Sequence, residues 1–450
     1  MTEPGTRNAS LALYQYLCHN IVGTEDHVKQ IRLMNTVKDN LSHCNKSTKI
    51  TSGSFGEGLQ MRGSDLDIMV ISNDMVVLAC EDTNIVFNPD KTYFALAPGE
   101  TQPGFSRLRV VRSHFRDIRD FCEQRGREFY FSSTAFKQAL STYSLPIIHG
   151  PCVSDKKGFH DFAVSVHAQS WTELALKWLT RSNNGWPGKD VKQTIVQHGV
   201  LFVPVGLKGS KNQDIEWRIS FSVSEKFLIY TFSHTQLLCY ALMKILLKDV
   251  IAIDLEYSEL LCSYFMKTIV FWISEEVSPT IWQQENLIPL FMKCFKRLIY
   301  CVENSICPHF FITENNLFDN KIKGHAQKIL LHKLYNLDSY GWRCILFSYQ
   351  LSNFNCQVAY RFKDSNSSFV NRVQKRLYSL TSIDCTSGFF KWEKKARIAL
   401  SLKSSKMKYL YWFYMSKNCQ RNVQFLPFDE SHMLGNKSTY KQYQNCISTL

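Results

Sequence analysis

The 450-residue chain has 15 cysteines but no Cys-Cys pair and no Cys-x-x-Cys. An odd number of singly scattered thiols in a chain this long argues against a disulfide framework and for reduced cysteines in a reducing compartment. Glycine (20) and proline (12) are sparse, which excludes collagen-like and low-complexity classes. No apolar run reaches the ~20 residues that a bilayer span requires. The longest two, Leu237–Leu247 and Tyr264–Ile273, are interrupted by Lys244 and Lys267. The opening residues, MTEPGTRNASLALYQYL, lack a basic segment followed by an apolar one, so no secretory leader is evident. There is no internal repeat. The expectation is a cytoplasmic protein without a membrane span.

Aromatics are abundant: 31 Phe, 20 Tyr and 9 Trp are far more than a solvated coil carries, so most of the chain must bury a core. The formal net charge of +14 is unevenly spread, with 14 basic against 4 acidic residues from Ser365 onward. Such a tail favours polyanions, whether nucleic acid or anionic membrane, while net charge does not mark the preceding part as a nucleic-acid binder.

Apolar residues at Leu11, Tyr14, Leu17 and Ile21, then at Val28, Ile31, Met34, Val37 and Leu41, recur at helical spacing, with a break at Gly23-Thr24. KITSGSFGEGL reads as a strand entering a small-residue turn, and SDLDIMVIS as a second strand. Short strands and turns continue to about Phe105, and the charged stretch after it has no fixed register. GFHDFAVSV is predicted as a strand, Ser170 to Trp178 as a helix, and GVLFVPVG and EWRISFSVSE as further strands. From Ser233 the apolar faces are long and helical, with a last helix near His325 to Leu334. The chain therefore reads as α/β followed by all-α, in two lobes. The expected division is residues 1–225 with a leading spine helix, a helical lobe over 226–351, a linker over 352–368 and a basic, mainly helical tail over 369–450. The last residues, YQNCISTL, carry apolar Ile447 and Leu450, from which truncation of a longer chain is expected.

The chemistry concentrates near Gly53. Asp65 and Asp67 are two apart in a strand-like run, which puts both carboxylates on one face and turns Leu66, Ile68 and Val70 toward a core. Two like charges so close repel, and a divalent metal with oxygen ligands is an economical way to hold them ionised. Upstream, Gly53-Ser54-Phe55-Gly56 offers backbone N–H groups, a hydroxyl and glycines that let a phosphate approach. A phosphate-cradling turn followed by a metal-binding Asp-x-Asp suits phosphoryl transfer from a nucleoside triphosphate.

GS, a downstream Glu and DLDIM together resemble the nucleotidyltransferase signature of the cyclic GMP-AMP synthase-like receptors. These group with the male-abnormal (Mab) developmental proteins in the polymerase-beta-like superfamily. Trp186-Pro187, LFVPVG, EWRISFSVSEK, HTQLLCYALMKILLKDVI, SYFMKT and CPHFFITENNLF extend the resemblance from about Ala12 to Leu351. It implies a bilobed fold, a polymerase-beta-like nucleotidyltransferase lobe with a mixed sheet followed by an all-α, HhH/H2TH-like lobe. It implies a magnesium or manganese site on Asp65, Asp67 and a third acid, Asp161 of GFHDFAVSV, which would also receive the hydroxyl proton. Asp155 is the competitor, in a turn-like SDKKG stretch. Gly53 and Ser54 would meet the triphosphate. Lys244 and Ser263 match helical-lobe phosphate contacts, and Arg218 and Tyr264 match positions that sandwich a base.

The implied activity joins ATP and/or GTP, into a cyclic dinucleotide in innate immune sensing, with double-stranded nucleic acid as activator. The sequence has no adjacent-cysteine zinc thumb, and the cluster Cys294, Cys301, Cys307 and His309 reads as packing rather than ligation. RNA is accordingly expected over DNA, with Lys29 and Arg32 of the first long helix as candidate phosphate contacts. The alternatives are a catalytically silent interaction or developmental protein of the same fold, and a linear polymerase or RNA-tailing enzyme.

Overall fold

The computed structural model describes residues 4–61, 65–78, 86–97, 101–115, 117–319 and 321–354. The expected linker beyond residue 354 and the basic tail over 369–450 lie outside the described residues. Two helices lead, α1 (Pro4–Asn20) and α2 (Glu25–Leu41). Thr24 stops the chain between them and caps α2, its hydroxyl accepting from the His27 N–H at 3.3 Å.

A sheet-building stretch follows: β1 (Ser47–Ser52), one helical turn α3 (Gly53–Gly56), β2 (Leu66–Leu78), β3 (Thr92–Leu96), β4 (Phe105–Arg112), β5 (Cys122–Arg125) and β6 (Glu128–Phe131). It continues through α4 (Ser133–Leu140), β7 (Ile147–His149), β8 (Cys152–Ser154), β9 (His160–Ala168), α5 (Glu173–Thr180), α6 (Lys189–His198), β10 (Val200–Val203) and β11 (Glu216–Ser220). The remainder is helical: α7 (Ser222–Tyr230), α8 (His234–Ile245), α9 (Ser263–Glu276), α10 (Leu287–Glu303) and α11 (Gly324–Asp338). The predicted strand EWRISFSVSE ends at Ser220, and the rest of that segment opens α7.

The sheet is mixed. Its order is β1-β2-β3-β4-β11-β10-β9-β8-β7, and a further pairing of β2 with β9 brings the path back on itself. β2 runs parallel to both β9 and β3: it pairs with β9 from Leu66 to Val77 across a register shift between Ser72 and Val76, with β1 over Asp67–Ser72 and with β3 over Met75–Leu78. The other neighbouring strands are antiparallel. The charged stretch whose register the sequence left open forms β4 and the hairpin β5–β6, with Gly126 in the positive-φ conformation of the turn.

One expectation is reversed here. Leu66, Ile68 and Val70 are only half-buried. The buried side of β2 is the one that carries Asp67, through Met69 and Ile71, which pack with Ala163, Leu201, Val203 and Val223. β10 extends this face with Leu201 and Val203 and α7 packs Val223 onto it, so the carboxylates stand where a buried face emerges.

Core packing is continuous from the sheet into the helices. Phe131 lies between Phe94 and Trp217 at 4.7 and 4.9 Å, and Trp171 and Trp178 meet Phe311 of the loop after α10. α8 is buried on all sides, as its apolar run from Leu237 to Met243 requires, and starts with a capping box between Ser233 and Gln236. Among the described residues no helix is long and apolar enough to cross a membrane.

Candidate active site

The parallel pairing of β2 and β9 sets Asp67 directly beside Asp161. Both lie at the strand ends where the chain enters the sheet, with Asp65 just before β2 and exposed. Burial first, then the negative charges of Asp161 and Asp65, push the Asp67 carboxyl up to about 6 from its ordinary 3.8. Gly53 is pressed against it: a Cβ there would stand 1.8 Å from Asp67 Oδ2, and the residue has φ +60°. Glycine is thus demanded by the carboxylate behind it as well as by the backbone conformation.

Asp161 has two further neighbours that sequence reasoning missed. Ser154 Oγ donates to Asp161 Oδ1 at 2.7 Å, and His149 Nε2 stands 2.7 Å from that hydroxyl and 3.3 Å from the carboxylate. The β7–β8–β9 hairpin stack places all three side by side. Asp155 is tied into its turn, accepting from the Lys157 and Phe159 N–H groups and pairing with His160 at 2.8 Å. Among the described residues no three His, Cys, Asp or Glu side chains already converge as a metal cage. The donor chemistry of Asp65, Asp67 and Asp161, all hard carboxylate oxygens, nevertheless suits magnesium or manganese. The charge crowding that raises Asp67 is what a bound cation would relieve.

Helices form the opposite side. Lys244 of α8 reaches across to Ser54, its Nζ donating to the hydroxyl. It is 2% exposed, and burial lowers its ammonium from 10.5 to about 8. One helix further on, Lys267 of α9 is also buried but donates to Glu57 Oε1 at 2.5 Å and Glu225 Oε2 at 3.0 Å. Burial opposes its charge, and the two carboxylates outweigh burial and hold its pKa well above the ordinary value. Ser263 and Tyr264 open α9. Tyr264 Oη lies 3.0 Å from Glu225 Oε1 and 2.8 Å from His309 Nε2. Arg218 sits exposed on β11, near enough for its charge to act on Tyr264 and His309. Gly53, Ser54, Asp67, Asp161 and Lys244 are therefore brought together, with Ser263 and Tyr264 on the helical side and Arg218 on β11 near Tyr264. Glu57 was visible as the acid of GEGL; the roles of Glu225, Lys267 and His309 depend on pairings across the fold and carried no local signal.

Arg32 is a correction. Rather than facing solvent phosphates it is 9% exposed, with Nε donating to the Glu57 carbonyl at 3.0 Å and the guanidinium 5.1 Å from the Tyr230 ring centroid. The reason lies in helix geometry: Arg32, Asn35 and Asp39 share one face of α2, and that face grips the segment around Gly53. Asn35 Nδ2 donates to the Phe55 carbonyl at 2.8 Å, and Asp39 accepts from the Thr51 N–H at 2.9 Å and from Lys226 Nζ at 2.6 Å. Lys29 is exposed and pairs with Glu25 at 2.8 Å.

The cysteine cluster is packing in this structure. Cys294 touches Cys239 (Sγ to Sγ 3.6 Å) in the core, and both ring nitrogens of His309 have hydrogen-bond partners. The ten cysteines among the described residues are all free thiols.

Residues 236–342 match the Mab-21 protein HhH/H2TH-like domain, so the helical part carries that domain. The chain is 28% identical over 165 residues to cyclic GMP-AMP synthase of Mus musculus, covering 33% of this chain and 32% of that protein. It is 28% identical over 180 residues to cyclic GMP-AMP synthase of Sus scrofa, with 36% of each covered. A cyclic GMP-AMP synthase-like receptor of Ctenocephalides felis is 31% identical over 130 residues, covering 27% of this chain and 28% of that protein. The aligned region spans about a third of the length of these curated relatives.

Proposed function

The chain is a cyclic GMP-AMP synthase-like member of the Mab-21 family, and on that premise we propose that it is a nucleotidyltransferase joining ATP and/or GTP, into a cyclic dinucleotide second messenger. The mixed sheet would be its polymerase-beta-like lobe. The observation that carries this reading is the convergence of unlike charges on the Gly53-Ser54 turn: Asp67, beside Asp161 on the strands, lies against Gly53, and Lys244 reaches Ser54 from the helices.

Asp65, Asp67 and Asp161 would hold magnesium or manganese. When bound, the metal neutralises phosphate oxygens and lowers the pKa of the attacking hydroxyl. The chain's own groups do the rest. Ser54 and Lys244 bind the triphosphate, with Ser263 from the start of α9. Lys244 suits this role because its ammonium lacks a carboxylate partner among the described residues, so a phosphate supplies the counter-charge that burial withholds. Gly53 keeps the turn close enough to Asp67 for metal and phosphate to share one space. Asp161 Oδ1 receives the hydroxyl proton, oriented by Ser154. Tyr264 and Arg218 offer flat faces to a base.

Double-stranded nucleic acid, RNA rather than DNA, is the proposed activator in cytoplasmic innate sensing, with Lys29 as a phosphate contact. Because α2 grips the Gly53 segment through Arg32, Asn35 and Asp39, an event on its outer face reaches the turn directly.

A second reading is a catalytically silent interaction protein. It is favoured by the Asp161 carboxylate being already engaged by Ser154 and by the lack of three converged acids among the described residues. Purified protein incubated with labelled ATP and GTP, magnesium or manganese, and poly(I:C) or DNA separates the two, with products identified by mass. A cyclic dinucleotide that Asp67→Asn abolishes supports the enzyme. Product made by that variant at the wild-type rate overturns the metal site, and no product under any combination favours the silent protein. A linear, extending product indicates a polymerase.

A further inference from the structure

His309 is a buried histidine in the loop that follows α10, and its hydrogen bonds define its tautomer. Nδ1 lies 3.1 Å from both the Phe311 and Ile312 backbone nitrogens, which can only donate, so Nδ1 is the acceptor. The ring proton therefore sits on Nε2 and points at Tyr264 Oη, 2.8 Å away. Accepting that hydrogen bond, the tyrosine hydroxyl directs its own hydrogen to Glu225 Oε1 at 3.0 Å, and Lys267 occupies the other carboxylate oxygen. A single direction of donation thus runs from the loop backbone through His309 and Tyr264 to Glu225.

The loop is anchored well enough to act as a fixed point. Trp272 Nε1 donates to the Pro308 carbonyl at 2.9 Å, Arg181 Nη1 to the Phe310 carbonyl at 2.7 Å, and the His309 N–H to the Asn315 carbonyl at 2.9 Å. Burial also keeps the imidazole neutral, lowering it from 6.5 to about 4, so the same tautomer persists across the physiological range.

We infer that His309 is a positioning residue for nucleobase recognition: by fixing the Tyr264 hydroxyl from one side while Glu225 holds it from the other, it presents the Tyr264 ring in one orientation to a purine. This rests on the proposed nucleotide site and adds to it a residue outside the phosphate and metal machinery. A tyrosine anchored at both Cα and hydroxyl loses little further freedom when a base stacks on it, which is the benefit of preorganisation. The contribution should be felt by the base and not by the phosphates.

The test compares binding of ATP, GTP and inorganic tripolyphosphate, each with magnesium, to the full chain by calorimetry. Asparagine can place its amide oxygen near Nδ1 and keep the loop amides satisfied but is too short to reach Tyr264; glutamine can place a donor near Nε2 but loses the Nδ1 acceptor. His309→Asn is expected to melt close to wild type and bind nucleotide about 10-fold more weakly, a loss of the size of one aromatic contact, with tripolyphosphate affinity unchanged. His309→Gln is expected to melt lower yet retain nucleotide affinity. Tyr264→Phe should reproduce the nucleotide loss, and adding His309→Asn to it should cost nothing more; this pair decides the matter if His309→Asn alone does not fold. Under turnover the loss should fall on KM with kcat nearly unchanged. Nucleotide affinity unaltered in both His309→Asn and Tyr264→Phe overturns the role of His309 while leaving the nucleotide site standing. Wild-type protein that binds tripolyphosphate as tightly as ATP and GTP also overturns it, and wild-type protein that binds none of the three overturns the nucleotide site and this inference with it.

Discussion

Lys244 and Lys267 are two lysines on successive helices, both enclosed by protein and both directed toward the segment that begins at Gly53. Lys267 donates to Glu57 and Glu225 and has its charge strengthened by the fold. Lys244 donates to the neutral hydroxyl of Ser54 and has its charge weakened. The first belongs to a closed network that joins α9 to α7 and to the residue after α3. The second is a buried cation that lacks a carboxylate partner among the described residues. A buried charge without its partner destabilises the fold, and a protein retains one most readily where a ligand completes it. Asp67 is the matching case on the strand side: burial raises a carboxyl where it lowers an ammonium, and the negative charges of Asp161 and Asp65 add to the rise.

Substitutions that remove each charge should therefore have opposite signs. Lys267→Met strands Glu57 and Glu225 as buried carboxylates, and urea denaturation should register a loss of about 3–5 kcal/mol. A stability change near zero would break the comparison.

Lys244→Met should instead stabilise the free protein, by roughly 3 kcal/mol at most at neutral pH, while weakening triphosphate binding. The pH dependence follows from its lowered pKa. The unfolded chain holds this proton more tightly than the folded one, so the penalty is complete below about 8 and disappears as pH rises to 10.5. The advantage of the variant should shrink across that window in denaturation series at several pH values.

Asp67→Asn is expected to show the mirror image, with a gain of roughly 2 kcal/mol in the metal-free protein together with loss of product. Here the folded pKa is raised, so the cost of the ionised form is absent below 3.8 and complete above about 6. Wild type and variant should converge in stability at acid pH and separate toward neutrality.

The smallest effect belongs to Lys29→Ala, on the exposed face of α2. Its ion pair with Glu25 is exposed and solvent-screened, so the melting temperature should stay at the wild-type value. If it contacts a phosphate, the salt dependence of poly(I:C) binding should fall by about one released ion. An unchanged salt slope removes Lys29 from the nucleic-acid surface.

Much of the site was legible because its information is local. Asp65 and Asp67 are two apart, Gly53 and Ser54 adjoin, and a strand period of two places the acids on one face whatever else the chain does. The resemblance added Asp161, and the pairing of β9 with β2 sets it beside Asp67. The burial of that face was misread because alternation reveals two faces without telling which will be covered, and β10, which extends it, and α7, which packs onto it, come more than a hundred residues later. Arg32 was misread for a related reason. Its spacing on α2 was correct, but a basic residue on a helix reads as solvent-facing until the carbonyls it serves are in place.

Composition and periodicity alone settled that this is a folded, aromatic-rich chain with strands before helices and an acidic pair beside a glycine turn. Those features follow from backbone geometry and from the side chains themselves, acting over a few residues. Which lysine is neutralised and which is left wanting, which face of β2 is dry, and which tautomer His309 adopts were decided by contacts between segments distant in the chain. Charge and hydrogen bonding act through space and depend on what else is buried nearby, so these outcomes exist only once the chain has folded.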